Sequence, residues 1–222
     1  HVDANTGEVT LTQSGALDHG APGSATDGLL DLANGKVALE ATATIVDRDG
    51  DTATTGVSVD LGGNLHFQDT TPSITASVVG DGAINLTTQD VNGSTSTASA
   101  SFGEAFQAAV VSNYGADGGG STTVSAYHFS LVGGENSDSG LTSGGTQVLL
   151  ATESGSGDVI GTANGVEIFR IHVDANSGEV TLTQNGALDH GAPGSATDGL
   201  LDLANGKVAL EATATIVDRD GD

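Results

Sequence analysis

Residues 1–51 return almost unchanged as residues 172–222, displaced by 171 positions, and the two copies differ only at Thr6/Ser177 and Ser14/Asn185. Near-identity at such range marks a tandem array, sampled here over one full period and part of a second. The period far exceeds the roughly 20–50 residues of solenoid repeats, so each unit has to bury a core of its own. Folded units in a row are therefore expected, with the ends at His1 and Asp222 read as cuts inside repeats. Pro72 cannot donate to a sheet ladder and marks a junction. The expected division is 1–71, the C-terminal part of one repeat, and 72–222, the next repeat without its last strands. Residues 72–171 are completed either by 172–222 or by 1–51. Neighbours in sequence pair in a linear array, which favours 172–222.

Charge narrows the partners. The chain carries 29 acidic against 5 basic side chains, a formal net charge of −24. That field repels nucleic acid and acidic membrane surfaces, so neither is an expected partner and a cation is. Acidic side chains also keep a secreted protein soluble, and only their clustering separates the two readings. There is no Cys, which removes disulfides and the Cys-based zinc, iron–sulfur and nucleophile schemes. No apolar run approaches the ~18 residues of a spanning helix, and no direct membrane insertion is expected.

Hydrophobic spacing points to strands. In the run 37–46, Val37, Leu39, Ala41, Ala43 and Ile45 fall on one face of an extended chain, with Glu40, Thr42 and Thr44 on the other. This period of two marks a half-buried strand. The same period runs through Tyr127, Phe129 and Leu131, through 8–13 and through 57–61. Residues 166–173, the Asp-Ala-Asn-Ser-Gly run at 174–178 and residues 179–184 read as a hairpin, and another strand is expected over 73–79. Phe102, Phe106, Ala109, Val110 and Asn113 instead follow helical spacing, which predicts one short helix or helical turn near 102–113. With 34 Gly and turn signals at short intervals, the expected fold is all-β, an antiparallel immunoglobulin-like β-sandwich. Two Tyr and five Phe supply all the aromatic bulk. So thin a core leaves part of the stability to bound cations.

The sharpest chemical signal is the Asp-Arg-Asp-Gly-Asp run at 47–51, repeated at 218–222. Asp47, Asp49 and Asp51 alternate around a glycine that lets the backbone turn, so three carboxylates can meet on one hard cation. Without an ion they repel one another. Calcium is the expected cofactor, held in the first copy by Asp47, Asp49 and Asp51 and in the second by Asp218, Asp220 and Asp222. The spacing opens like an EF-hand loop, but Ser58 stands where position 12 demands Glu, and strands flank the loop. Asp69 precedes the break at Pro72 and is either a shared junction ligand or a turn former, and Asp117 stands open between the same two roles. Asp27 and Asp81, each followed by Gly, read as turns.

Asp18 and His19, with their copies Asp189 and His190, form adjacent pairs whose side chains point apart and which have no nucleophile near them in sequence. No P-loop, dinucleotide fingerprint or zinc helix motif occurs. A catalytic role and a small-molecule substrate are not expected.

Several segments carry a family resemblance. They are the Thr-Ala-Thr-Ile-Val-Asp-Arg-Asp-Gly-Asp-Thr-Ala-Thr run at 42–54, Asp-Thr-Thr-Pro at 69–72, Tyr-Gly-Ala-Asp-Gly at 114–118, Ser-Gly-Leu-Thr-Ser-Gly-Gly at 139–145 and Gly-Ala-Leu-Asp-His at 15–19. Together they resemble the repeated domains of giant RTX adhesins over nearly the whole chain. The nonapeptide that names the RTX proteins is absent, and no tip domain is recognisable. The resemblance implies type I secretion from Gram-negative bacteria, an extracellular place at the cell surface, and a stalk of calcium-bound β-sandwich extenders whose partners are neighbouring repeats of the same chain. A calcium-dependent module binding sugar, peptide or ice is the alternative, with flat Thr faces at Thr42/Thr44 and Thr95/Thr97. Near-identical repeats argue for a spacer, because a spacer needs length and a tip needs one copy.

Overall fold

A computed structural model of the chain describes all residues except 21–23, 25–27, 81–83, 91–93, 116, 117, 196, 220 and 222. The chain is all-β and antiparallel with one short helix, as the periodicity predicts. It divides into two compact units, the first made of 1–73, 112–121 and 216–222 and the second of 74–111 and 122–215.

In the first unit, β1 (Leu29–Asp31) pairs with β4 (His66–Gln68), and β2 (Ala38–Val46) forms a hairpin with β3 (Thr52–Asp60). The hairpin keeps one register from Ala38↔Asp60 to Val46↔Thr52. The half-buried face expected over 37–46 is not buried here: Leu39 is the one partly buried residue of β2, and β3 is exposed throughout. The strand expected over 8–13 is reduced to a single bridge between Val2 and Val9. β5 (Ser73–Ala76), which but for Ser73 belongs to the second unit, pairs with β7 (Val110–Asn113) in a further two-stranded sheet.

The second unit holds the core. A meander of β9 (Ser137–Ser143), β10 (Thr146–Thr152), β11 (Val159–Ala163), β12 (Val166–Val173) and β13 (Glu179–Gln184) is extended by β6 (Ser96–Ser101) to a six-stranded sheet. Alternation along these strands sends Leu141, Val148, Leu150, Val159 and Ile168 inward, each such side chain contributing about 1.5–3 kcal/mol when fully buried. Over them pack Phe129 and Leu131 of β8 (Ser121–Leu131), Val208 of β14 (Val208–Val217), and Leu188, Leu201 and Leu203. β8 and β14 pair with each other, giving a sandwich-like two-layer unit. Strands from 96–131 thus pair with strands from 179–217. Gly161 faces Phe169 across the β11–β12 ladder, and any Cβ at 161 would enter the Phe169 ring.

The expected hairpin at 166–184 forms as β12 and β13. Its turn is tied by Asp174, whose Oδ1 accepts the N–H groups of Asn176 (2.9 Å) and Ser177 (2.8 Å). The helical spacing near 102–113 yields α1 (Gly103–Ala108), whose Phe106 meets the Tyr127 ring edge-to-face at 5.4 Å.

Candidate metal centre

The loop at 47–51 closes the β2–β3 hairpin. Asp47 N–H donates to the Asp51 carbonyl at 2.9 Å, and Asp47 Oδ1 accepts the N–H groups of Gly50 (3.1 Å) and Asp51 (2.9 Å). Gly50 adopts φ +100, a backbone state that penalises any side chain. Folded this tightly, the loop brings one carboxylate oxygen each from Asp47, Asp49 and Asp51 within 4.8 Å of one another. Oxygens bound to one calcium at about 2.3–2.6 Å lie at most about 5 Å apart, so the donor set fits a single calcium with its remaining positions filled by water. The Asp47 carboxyl is held below the ordinary aspartate range, first by its hydrogen bond with the Asp49 side chain and then by the N–H groups of Asp51, Gly50 and Asp49. Three carboxylates held this close repel one another, and a bound cation would relieve that repulsion. All three residues are exposed.

Among the described residues this is the group of three ligating side chains that converges. The second-copy loop is only partly described, since Asp220 and Asp222 lie outside the described residues, as do Asp117, Asp27 and Asp81. Asp218 is described and differs from its exposed counterpart Asp47: it is 4% exposed and accepts the Gly221 N–H at 3.1 Å. Asp69 is brought to His19 at 4.0 Å, both side chains being buried. The two nitrogens of the His19 ring face the Leu17 and Phe67 carbonyls at 3.1 and 3.3 Å. Asp18 is exposed, and the partner of His19 is Asp69, 50 residues away.

Sequence reasoning missed one electrostatic centre. Arg170 on β12 donates to Glu153 (2.6 Å), Asp158 (2.9 Å) and Glu167 (2.9 Å), and Asp158 also meets His172 at 2.7 Å. The hydrogen bond from Arg170, before that of Ser156, holds the Glu153 carboxyl down to about 2. Glu153, followed by Glu167 and Asp158, pushes the guanidinium pKa up. The signal was legible as the one cation inside the apolar strand 166–173. Its function there is to tie β12 to the turn between β10 and β11.

No described helix is long and apolar enough to cross a membrane. A family model described as "Domain of unknown function (DUF5801)" matches residues 1–62 and 83–222. No curated protein and no solved structure matches the chain. The match spans most of the sequence, and the chain belongs to that family.

Proposed function

We propose that this member of the family is a calcium-stabilised structural extender: a stalk segment of a secreted bacterial surface adhesin that holds distal binding domains away from the cell. It is a spacer without catalytic function, acting outside the cell and engaging neighbouring repeats of its own chain. The observation that carries the reading is the convergence of three carboxylates in a loop that recurs with each repeat. An ion there removes mutual repulsion at a hairpin close in sequence to the Asp69–Pro72 junction. Where charges lie closer than the ~8 Å Debye length, salt screens them poorly, and calcium loss loosens the stalk. Three exposed carboxylates place the affinity near the extracellular class, on the order of 10⁻⁴–10⁻³ M.

The test is thermal unfolding with calcium, magnesium or EDTA, joined to small-angle scattering of a multi-repeat chain. Millimolar calcium is expected to raise the melting temperature by several degrees and to give a long, stiff particle. Magnesium, which sheds water reluctantly, substitutes poorly. Asp49→Asn with Asp51→Asn, together with the same changes at Asp220 and Asp222, reproduces the EDTA profile in calcium. A melting curve indifferent to EDTA, or a quadruple variant that binds calcium like the parent, overturns the reading.

A further inference from the structure

The two copies of the repeated sequence differ in the stretch of chain attached behind them, and the first copy displays what its surface is built to hold. Behind residues 1–51 comes the segment 52–69, and the first unit seats it in three ways. β3 lies along β2, with the Leu61 N–H donating to the Val37 carbonyl at 2.8 Å and the Asp47 N–H to the Asp51 carbonyl at 2.9 Å. β4 lies along β1, with Leu29↔Gln68, Leu30↔Phe67 and Asp31↔His66 as partners. Two side chains then fix β4: Asp31 takes the His66 ring at 2.6 Å, and His19 meets the Phe67 carbonyl.

The second copy presents the same groups around a cleft. Leu200, Leu201, Asp202 and His190, the counterparts of Leu29, Leu30, Asp31 and His19, line a cavity of about 600 Å³ whose walls include Phe169 and Leu182. Among the described residues, 200–202 take part in no strand pairing, and Leu200 is 55% exposed.

Backbone parity gives an independent observation. In β2 the odd-numbered residues face β3, because Val37 and Asp47 make the ladder bonds just described. Their counterparts in β14 are Val208, Leu210, Ala212, Ala214 and Ile216. On β14 the partner is β8, reached through the Lys207 carbonyl, which accepts the Val132 N–H at 3.1 Å. Lys207 is the counterpart of Lys36, and successive residues of a strand address opposite edges. β8 and β3 therefore use opposite edges of one and the same repeated strand. In neither place does the described sheet have a third strand.

We propose that the cleft and the outer edge of β14 together form the seat for a second copy of the segment 52–69 from the same chain, placed behind the second copy of the repeated sequence as it is behind the first. Its first strand completes a three-stranded β8–β14–β3-type sheet, and its His-Phe-Gln strand fills the cleft, with Phe entering between the leucines and His meeting Asp202. This rests on the tandem-repeat part of the proposed function and not on calcium.

The experiment appends the sequence of residues 52–71 after Asp222 and monitors amide exchange and melting, in calcium and in EDTA. In the parent chain the N–H groups of Leu210, Ala212 and Ala214 should exchange fast, while those of Ala209, Glu211 and Thr213 are protected by β8. The appended segment should slow the first three roughly tenfold or more and raise the melting temperature by several degrees. Replacing the appended counterpart of Phe67 by Ala should remove most of both effects. A synthetic peptide of residues 52–71, added to the unmodified chain, should protect the same three amides and guards against misfolding of the longer chain. Unchanged exchange at these amides in both arms overturns the proposal. Protection that arises only from dimerisation of the parent chain moves the source to a neighbouring molecule and overturns the assignment within one chain. Protection that persists in EDTA stands even if the calcium reading fails, whereas calcium stabilisation without protection leaves that reading and removes this one.

Discussion

Residues 1–51 and 172–222 are the same sequence in two surroundings. Their turns are alike: Asp3 Oδ1 accepts the N–H groups of Asn5 and Thr6 at 2.8 and 3.1 Å, as Asp174 does for Asn176 and Ser177. Their strands are not. Val9 is 40% exposed and its counterpart Val180 is 3% exposed, because β13 lies between β6 and β12 while Val9 has only its bridge to Val2. The alternating pattern of 37–46 is nearly all exposed in β2, whereas in β14 Ala212, Ala214 and Ile216 are partly buried and Glu211, Thr213 and Thr215 exposed. The turn is a property of the sequence and the burial a property of its neighbours. A period-two pattern states which face a strand will bury if a partner layer arrives, and does not supply the layer.

Matched substitutions put this contrast at risk. The largest expected effect is at the buried member of a pair: Val180→Asp should cost about 3–4 kcal/mol by placing an unpaired charge in the sheet. Val9→Asp should stay within about 0.5 kcal/mol. Equal losses in urea unfolding would mean that the copies share one environment. Next comes Arg170→Met, which strands Asp158, 6% exposed, without its cation and should cost roughly 1–3 kcal/mol.

The same variant tests a pH dependence. Glu153 titrates lower in the folded chain, at about 2 against a usual 4.5. Its contribution to stability is thus complete above about 4.5 and is lost as pH falls toward 2. That slope should flatten in Arg170→Met, and an unaltered acid limb would remove Glu153 from the account. The smallest effect concerns the turns. Carboxyl titrations by NMR should place both Asp3 and Asp174 below the ordinary aspartate value, Asp3 through the Asn5 and Thr6 N–H groups and Asp174 through those of Ser177 and Asn176. A normal value at only one of them would show that even the turn depends on context.

Much of the fold was legible in particular residues. The Asp-Ala-Asn-Ser-Gly run gave the β12–β13 hairpin at its observed limits, Phe102 and Phe106 gave α1, and Gly50 between aspartates gave the loop at 47–51. The failures have one physical source. Residues 8–13 carry strand spacing in both copies, yet only the second has ladder partners on either side. Asp69 was read near the junction for its position beside Pro72, while its partner His19 lies 50 residues earlier and is visible only when β1 pairs with β4. Arg170 stood out as a charge in an apolar strand, but two of its three carboxylates, Glu153 and Asp158, come from the turn between β10 and β11 and meet it only when the meander folds.

The outer edge of β14 has a consequence for how such an array assembles. Because the repeats are nearly identical, the strand that fits one seat fits every other, and chemical selectivity cannot choose the right donor. What chooses is tether length: a segment joined by a few residues is present at an effective concentration of the order of millimolar, far above that of the same segment from another molecule. Assembly in order from one end exploits this, since each seat is filled by the stretch that emerges directly behind it. Crowded, unfolded copies released together lose that advantage and exchange strands between chains, and refolding at high concentration is the condition under which an array of this kind tangles.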